Sequence, residues 1–160
     1  MKALVVYDSQ FGNTEKIAQA ISQELSSRMD IEILQVGNVK PEHLAGISFL
    51  VVGSPTQRFR QTTATTNFLK SIPKNGLESI KVAAFDTRLT EKEIGENRIL
   101  AFFVSLYGYA AEPISKILQR KGGTLIVPPE GFFVEGMEGP LIQGELERAS
   151  DWAKQFIATQ

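Results

Sequence analysis

The sequence predicts a doubly wound α/β domain: a five-stranded parallel sheet in the order 2-1-3-4-5, with helices on both faces. Three observations predict it. Short apolar, β-branched runs alternate with longer segments of helical periodicity, the signature of a parallel sheet covered by crossover helices. The run Phe49 to Val52 is apolar throughout, as a strand covered on both faces must be. The chain has 160 residues, of which 42% are hydrophobic and 22% charged. That suits one globular domain over residues 1–160, which buries roughly 70% of its unfolded surface without needing a disulfide or a metal.

The elements follow in order. Ala3 to Tyr7 reads as the first, buried strand. A helix from about Thr14 to Arg28 carries Ile17, Ile21 and Leu25 four residues apart, on one face. Ile31 to Val36 is the second strand and Phe49 to Val52 the third. A helix over Ala64 to Ser71 stops before Pro73. Lys81 to Phe85 is the fourth strand, and about Asp86 to Phe103 shows no clear pattern, which marks a functional or mobile loop. A helix near Tyr109 to Arg120 ends at Gly122-Gly123. Thr124 to Val127 and Phe132 to Val134 form the fifth strand, interrupted by Pro128-Pro129. The last helix, about Gly144 to Ile157, turns Leu146, Ala149, Ala153 and Phe156 inward, with Trp152 also at core spacing. Right-handed crossovers leave few topologies, and 2-1-3-4-5 is the common one at this size. Its ligand sits outside the carboxyl ends of strands 1 and 3.

The loop after strand 1 is Asp8-Ser9-Gln10-Phe11-Gly12-Asn13-Thr14 and leads straight into a helix. A helix N-terminus offers unpaired N–H groups and the positive end of the macrodipole. Gly12 allows close backbone approach, and Ser9, Asn13 and Thr14 add short polar donors. The loop holds no lysine or arginine, so it fits neither the Walker pattern nor Gly-x-Gly-x-x-Gly. Serine, asparagine and threonine are also ordinary helix caps, so the same residues are compatible with a plain capped turn.

The run Tyr7-Asp8-Ser9-Gln10-Phe11-Gly12-Asn13-Thr14 resembles the phosphate loop of flavodoxins, [Ser/Thr]-x-[Thr/Phe/Tyr]-Gly-Asn-Thr before a helix. The resemblance implies a flavodoxin-like fold over the whole chain and one noncovalent FMN, its phosphate held by Ser9, Gln10, Phe11, Gly12, Asn13 and Thr14. The loop after strand 3, Gly53-Ser54-Pro55-Thr56-Gln57-Arg58-Phe59-Arg60, is similar to the family's second flavin loop. By that likeness Ser54, Pro55, Thr56, Gln57 and Phe59 border the flavin. Phe59 is the aromatic available there to stack on the ring, or else it anchors the loop in the core. Asp86, Thr87 and Arg88 correspond to the third loop, which in the family supplies backbone N–H groups and often a second stacking tyrosine. No aromatic follows directly; Phe102, Phe103, Tyr107 and Tyr109 come later and are available to fold back. Asp86-Thr87-Arg88 is also compatible with a turn closed by a surface ion pair of little energetic worth.

Charge and composition narrow the function. With 17 Lys plus Arg against 18 Asp plus Glu, the net charge is −1, which gives no footprint for nucleic acid or anionic lipid. There is no cysteine and one histidine, His43, in a polar stretch read as solvated. Thiolate metal sites and cysteine nucleophiles are therefore excluded, a low-molecular-weight phosphatase with them. A response-regulator receiver shares the strand order but needs an aspartate at the end of strand 3, where this chain has Gly53-Ser54-Pro55. The N-terminal apolar run is too short for a signal-peptide core, and the chain reads as cytoplasmic. The glycine-rich stretch from Gly136 to Leu141 is given no chemistry.

The resemblance implies electron transfer with a redox partner protein, with no catalytic residue required because the flavin does the redox chemistry. The alternatives are an FMN-dependent NAD(P)H quinone or flavin reductase and a flavin-free, flavodoxin-like binding module. Arg58, Arg60 and Arg88 lie on the expected flavin loops, and electron-carrier flavodoxins are usually more acidic than this chain. The expectation is a less negative potential for the second electron than acidic members show.

Overall fold

The computed structural model describes residues 1–57, 60–90 and 108–158, with positions 95, 98 and 99 between the last two spans. The expectations placed on Arg58, Phe59, Phe102, Phe103 and Tyr107 lie outside the described residues. Along the chain run β1 (Lys2–Tyr7), α1 (Asn13–Leu25), β2 (Asp30–Gln35), β3 (Phe49–Pro55), α2 (Thr63–Ser71) and β4 (Lys81–Leu89). They are followed by α3 (Ala111–Arg120), β5 (Thr124–Leu125), β6 (Glu130–Val134) and α4 (Glu145–Ala158). The sheet is parallel in the order β2-β1-β3-β4-β5, and β6 also pairs with β4. The fifth position is thus filled by two short strands in turn, on either side of Pro128-Pro129, because prolines supply no N–H to a ladder.

Strand alternation sorts the core into two faces. Ala3, Val5, Phe49, Val51, Ala83 and Phe85 point to α1 and α4, where Ile17, Ile21, Leu25, Trp152 and Phe156 meet them. Leu4, Val6, Leu50, Val52, Val82 and Ala84 point the other way, to Phe68 and Leu69 of α2 and Ile114 and Leu118 of α3. Each buried valine, leucine, isoleucine or phenylalanine among them contributes about 1.5–3 kcal/mol relative to exposure. On the first face Phe85, Phe132, Trp152 and Phe156 pack edge to face, with Trp152 and Phe156 centroids 4.7 Å apart. Gly53 makes room for them: a Cβ there would stand 2.0 Å from the Phe85 ring. Among the inward residues expected on the last helix, Leu146 is a correction. It is 43% exposed, because the buried stripe of α4 runs through Glu145, Ala149, Trp152, Ala153 and Phe156.

The strands β3 and β4 run well past their expected ends, and both corrections bear on function. β3 continues through Gly53, Ser54 and Pro55, and β4 through Asp86, Thr87, Arg88 and Leu89. Ser54 pairs with Asp86 and Pro55 with Thr87 in the ladder. These residues belong to the rigid sheet edge, not to loops. No helix among the described residues is long and apolar enough to cross a membrane.

Candidate flavin site

A cleft of about 830 Å³ opens at the carboxyl ends of β1, β3 and β4. That volume lies in the range of small-molecule sites. Its walls include Ser9, Gln10, Phe11, Asn13 and Thr14 from the first loop, Pro55, Thr56 and Gln57 after β3, and Thr87 and Arg88 on β4. Gln61, Tyr109 and Met137 also line it.

The first loop is built to leave the N-terminus of α1 open. Gly12 takes φ +89°, a conformation that side chains disfavour, and stands at the cap position. Ser9 Oγ accepts from the Gly12 N–H (3.0 Å), and Asp8 Oδ1 accepts from the Ser9 N–H (3.0 Å). The first bond inside the helix runs from Lys16 N–H to Gly12 O (3.1 Å), so the Asn13, Thr14 and Glu15 N–H groups precede the helical ladder. Among the described residues no side chain caps them. By contrast, Thr62 caps α2 through the Thr65 N–H.

The polar side chains of this turn are engaged elsewhere. Asn13 Nδ2 donates to the backbone oxygen of Glu138 (3.0 Å), and Asn13 is buried. Thr14 Oγ1 lies 2.8 Å from Thr87 Oγ1 in a buried hydroxyl pair. Gln10 Oε1 accepts from Gln57 Nε2 (2.6 Å), joining the first loop to the second. Asp8 Oδ2 accepts from Thr62 Oγ1 (2.6 Å), a second tie between the same segments.

The second loop is fixed by its backbone. Gln57 and Arg60 exchange two N–H···O bonds (2.8 and 3.0 Å). The Thr56 N–H donates to Thr87 O (3.0 Å), and Thr56 Oγ1 accepts from the Ala110 N–H (3.2 Å). Ser54 does not reach the cleft. Its hydroxyl is fully buried, accepts from the Thr62 N–H (3.1 Å) and donates to Pro55 O (3.0 Å).

On β4, Arg88 forms a bidentate pair with Asp86: Nε to Oδ1 at 2.6 Å and Nη2 to Oδ2 at 2.7 Å. The surface-turn reading is corrected, since Asp86 is fully buried. Asp86 Oδ2 also accepts from the Ala111 N–H (2.8 Å), the first of α3. Asp86 therefore works behind the cleft wall while Arg88 lines it. The guanidinium lies 3.8 Å from the Tyr109 ring centroid on one side. On the other it covers Gly131, where a Cβ would stand 2.1 Å from Nε. Burial pushes the Asp86 carboxyl above its ordinary range, against the pull of Arg88 and the Ala111 N–H. Asp86 stands as the paired carboxylate of Arg88 at this edge of the sheet.

Sequence reasoning also missed residues. Met137, in the stretch given no chemistry, lines the cleft, and Glu138 anchors Asn13 there. The pattern Gly-x-x-Gly-Pro just before a helix is the signal that marked this turn. Gln61 is a further lining residue that no motif singled out. Among the described residues, Tyr109 is a later aromatic that lines the cleft. His43 stands away from it, with Nδ1 accepting from the Lys40 N–H (2.8 Å).

The flavodoxin domain model matches residues 4–128. The chain belongs to the flavodoxin family. Solved structures agree in fold. Flavodoxin 2 from Bacillus cereus superposes with a TM-score of 0.77 at 19% identity, covering 100% of both chains. A flavodoxin from the domain Archaea gives 0.74 at 21% identity, over 99% of each chain. The rubredoxin:oxygen oxidoreductase of Desulfovibrio gigas gives 0.74 at 17% identity, over 99% of this chain but 36% of that one.

FMN is the cofactor that this membership implies. The residues present fit it. A flavodoxin's monophosphate needs donors without a Cβ in the way, and α1 presents an uncapped N-terminus behind Gly12. The same cleft has the volume and the partly apolar walls that a flavin ring requires.

Proposed function

We propose that this protein carries FMN noncovalently in the cleft and exchanges electrons with a separate partner protein. The single observation that carries the reading is the uncapped N-terminus of α1 opening into a cleft at the β1/β3 edge. The N–H groups of Asn13, Thr14 and Glu15, with the helix dipole, would hold the phosphate. Thr56, Gln57 and Arg88 would border the rest of the group. The bound isoalloxazine supplies the electron-accepting chemistry. The chain's own part is to bind, orient and partly shield that ring, and the hydrogen-bonded edges of β3 and β4 keep its walls rigid.

Exchange with a partner is supported by the rim. Phe11 is 50% exposed and Met137 86% exposed, and both line the cleft. Two exposed apolar side chains beside a ligand cleft suit contact with another protein.

The test is turnover with NADH or NADPH and a quinone, first with the FMN-loaded protein alone and then with a flavodoxin reductase added. The proposal expects negligible oxidation by the protein alone and reduction of its flavin once the reductase is present. Rapid NAD(P)H oxidation by the protein alone would establish the self-contained reductase instead. Failure to take up FMN at all would establish the flavin-free binding module.

A further inference from the structure

Arg88 lines the cleft with a guanidinium clamped on three sides. Nε and Nη2 are bonded to the fully buried Asp86 (2.6 and 2.7 Å), one face lies 3.8 Å from the Tyr109 ring centroid, and the other packs on Gly131. Nη1 is the remaining donor. It has no hydrogen-bond partner among the described residues, and it is open to solvent, because Gln61 Oε1 is the one side-chain atom among them that is both buried and unpartnered. A buried ion pair adds little net stability, so a carboxylate sunk behind the cleft wall to hold one arginine points to a role for that arginine in the cleft. We propose that Arg88 donates from Nη1 to the acceptor edge of the flavin ring and favours the negative charge that the ring gains on reduction. The inference rests on the FMN reading and goes beyond it, to the control of potential.

The choice of the ring follows from strand alternation. Thr87 turns its hydroxyl to Thr14 in the first turn of α1 (2.8 Å), whereas Asp86 and Arg88 turn to the opposite face, where Asp86 meets the Ala111 N–H at the start of α3. A donor on that face serves the part of FMN that lies away from the phosphate, and the ring's carbonyl oxygens and nitrogens are acceptors. The backbone here leaves that task to a side chain. Asp86 and Thr87 are paired with β3 on one side and β6 on the other, so this stretch belongs to the ladders. Arg60, the other cationic residue among those described on the cleft wall, is exposed, and solvent screens its field. The Arg88 side chain is only 17% exposed. Asp86 opposes it from behind, since the carboxylate is fully buried and does not line the cleft. The pair therefore presents its positive end to a bound ring, and charge and hydrogen bonds at a flavin ring set its potential.

The experiment is a redox titration of the FMN-loaded full chain. It compares wild type with Arg88→Met and with the double variant Asp86→Asn/Arg88→Met, which leaves no buried carboxylate unpaired. Affinities of the same three proteins for FMN and riboflavin come from quenching of flavin fluorescence. The expected result is a midpoint potential about 30 mV more negative in both variants, the equivalent of reduced FMN losing tenfold more affinity than oxidised FMN in a two-electron couple. Oxidised FMN and riboflavin should weaken by the same factor, so that the preference for FMN is kept. An unchanged or less negative midpoint in the double variant would overturn the inference, whatever Arg88→Met does to folding. So would a loss of affinity confined to FMN, which would move Arg88 to the phosphate. A wild-type chain that takes up no FMN overturns the FMN reading and this inference with it. Normal uptake by wild type with unaltered potentials in the variants overturns this inference alone.

Discussion

Thr14 Oγ1 and Thr87 Oγ1 stand 2.8 Å apart, in a buried pair that joins the first turn of α1 to the end of β4. The two residues are 73 positions apart in sequence, yet each is the other's hydroxyl partner. The Thr14 side chain therefore holds the turn before α1 in place against the sheet, and under the proposed function its backbone N–H would face the phosphate.

Replacing either threonine with valine removes one partner and strands the other hydroxyl. Thr14→Val and Thr87→Val should each lower the stability of the FMN-free chain by about 1–2 kcal/mol, and the double variant should cost less than their sum. The coupling in a double-mutant cycle should be about 1 kcal/mol by urea denaturation. Strictly additive losses would show that the pair makes no contribution.

The Asp86–Arg88 pair should make stability depend on pH in a defined direction. Burial already raises the Asp86 carboxyl, so its stabilising contribution is complete below the ordinary aspartate value of about 3.9 and is lost as pH rises through the folded-state value. Arg88 opposes that loss by favouring the ionised form. Arg88→Met removes the opposition and leaves a buried carboxylate unpaired. The variant should lose about 3 kcal/mol at pH 8, with the penalty shrinking steadily as pH falls toward 4. Denaturant melts at several pH values decide it, and a penalty that is the same at every pH would contradict the assignment.

The turn before α4 offers a comparison between two glycines. Gly139 and Gly144 both have positive φ, +101° and +91°, so alanine strains either one. A Cβ at Gly139 would stand 2.5 Å from Asn13 Nδ2, whereas one at Gly144 meets nothing within 4 Å. Gly144→Ala should cost roughly 1–2 kcal/mol from backbone strain alone. Gly139→Ala should cost about 1 kcal/mol more, since it also displaces the Asn13 bond to Glu138. Equal thermal midpoints for the two variants would remove the turn's role in fixing the phosphate loop.

What was legible in the sequence divides along physical lines. The four-residue spacing of Ile17, Ile21 and Leu25 and the unbroken apolar run from Phe49 to Val52 are local signals, and they placed α1 and the central strand. The polar ends of β3 and β4 were read as loops because Ser54, Asp86 and Arg88 look solvent-seeking. Their partners, Thr62, Ala111 and each other, exist only once the chain has folded. The turn before α1 was legible as a motif, but the bonds its side chains make were not. Asn13 is bonded to a residue 125 positions away, which no local pattern announces. Leu146 has core spacing yet faces outward, because the sheet takes the stripe containing Trp152 instead.

The most direct measurement is a pair of fluorescence titrations of the unliganded chain, one with FMN and one with riboflavin, at the same pH and salt. If the open N-terminus of α1 grips the phosphate, FMN binds at least roughly tenfold more tightly than riboflavin, since hydrogen bonds to a charged group contribute about 1.5–3 kcal/mol. Equal affinities for the two flavins would contradict the account.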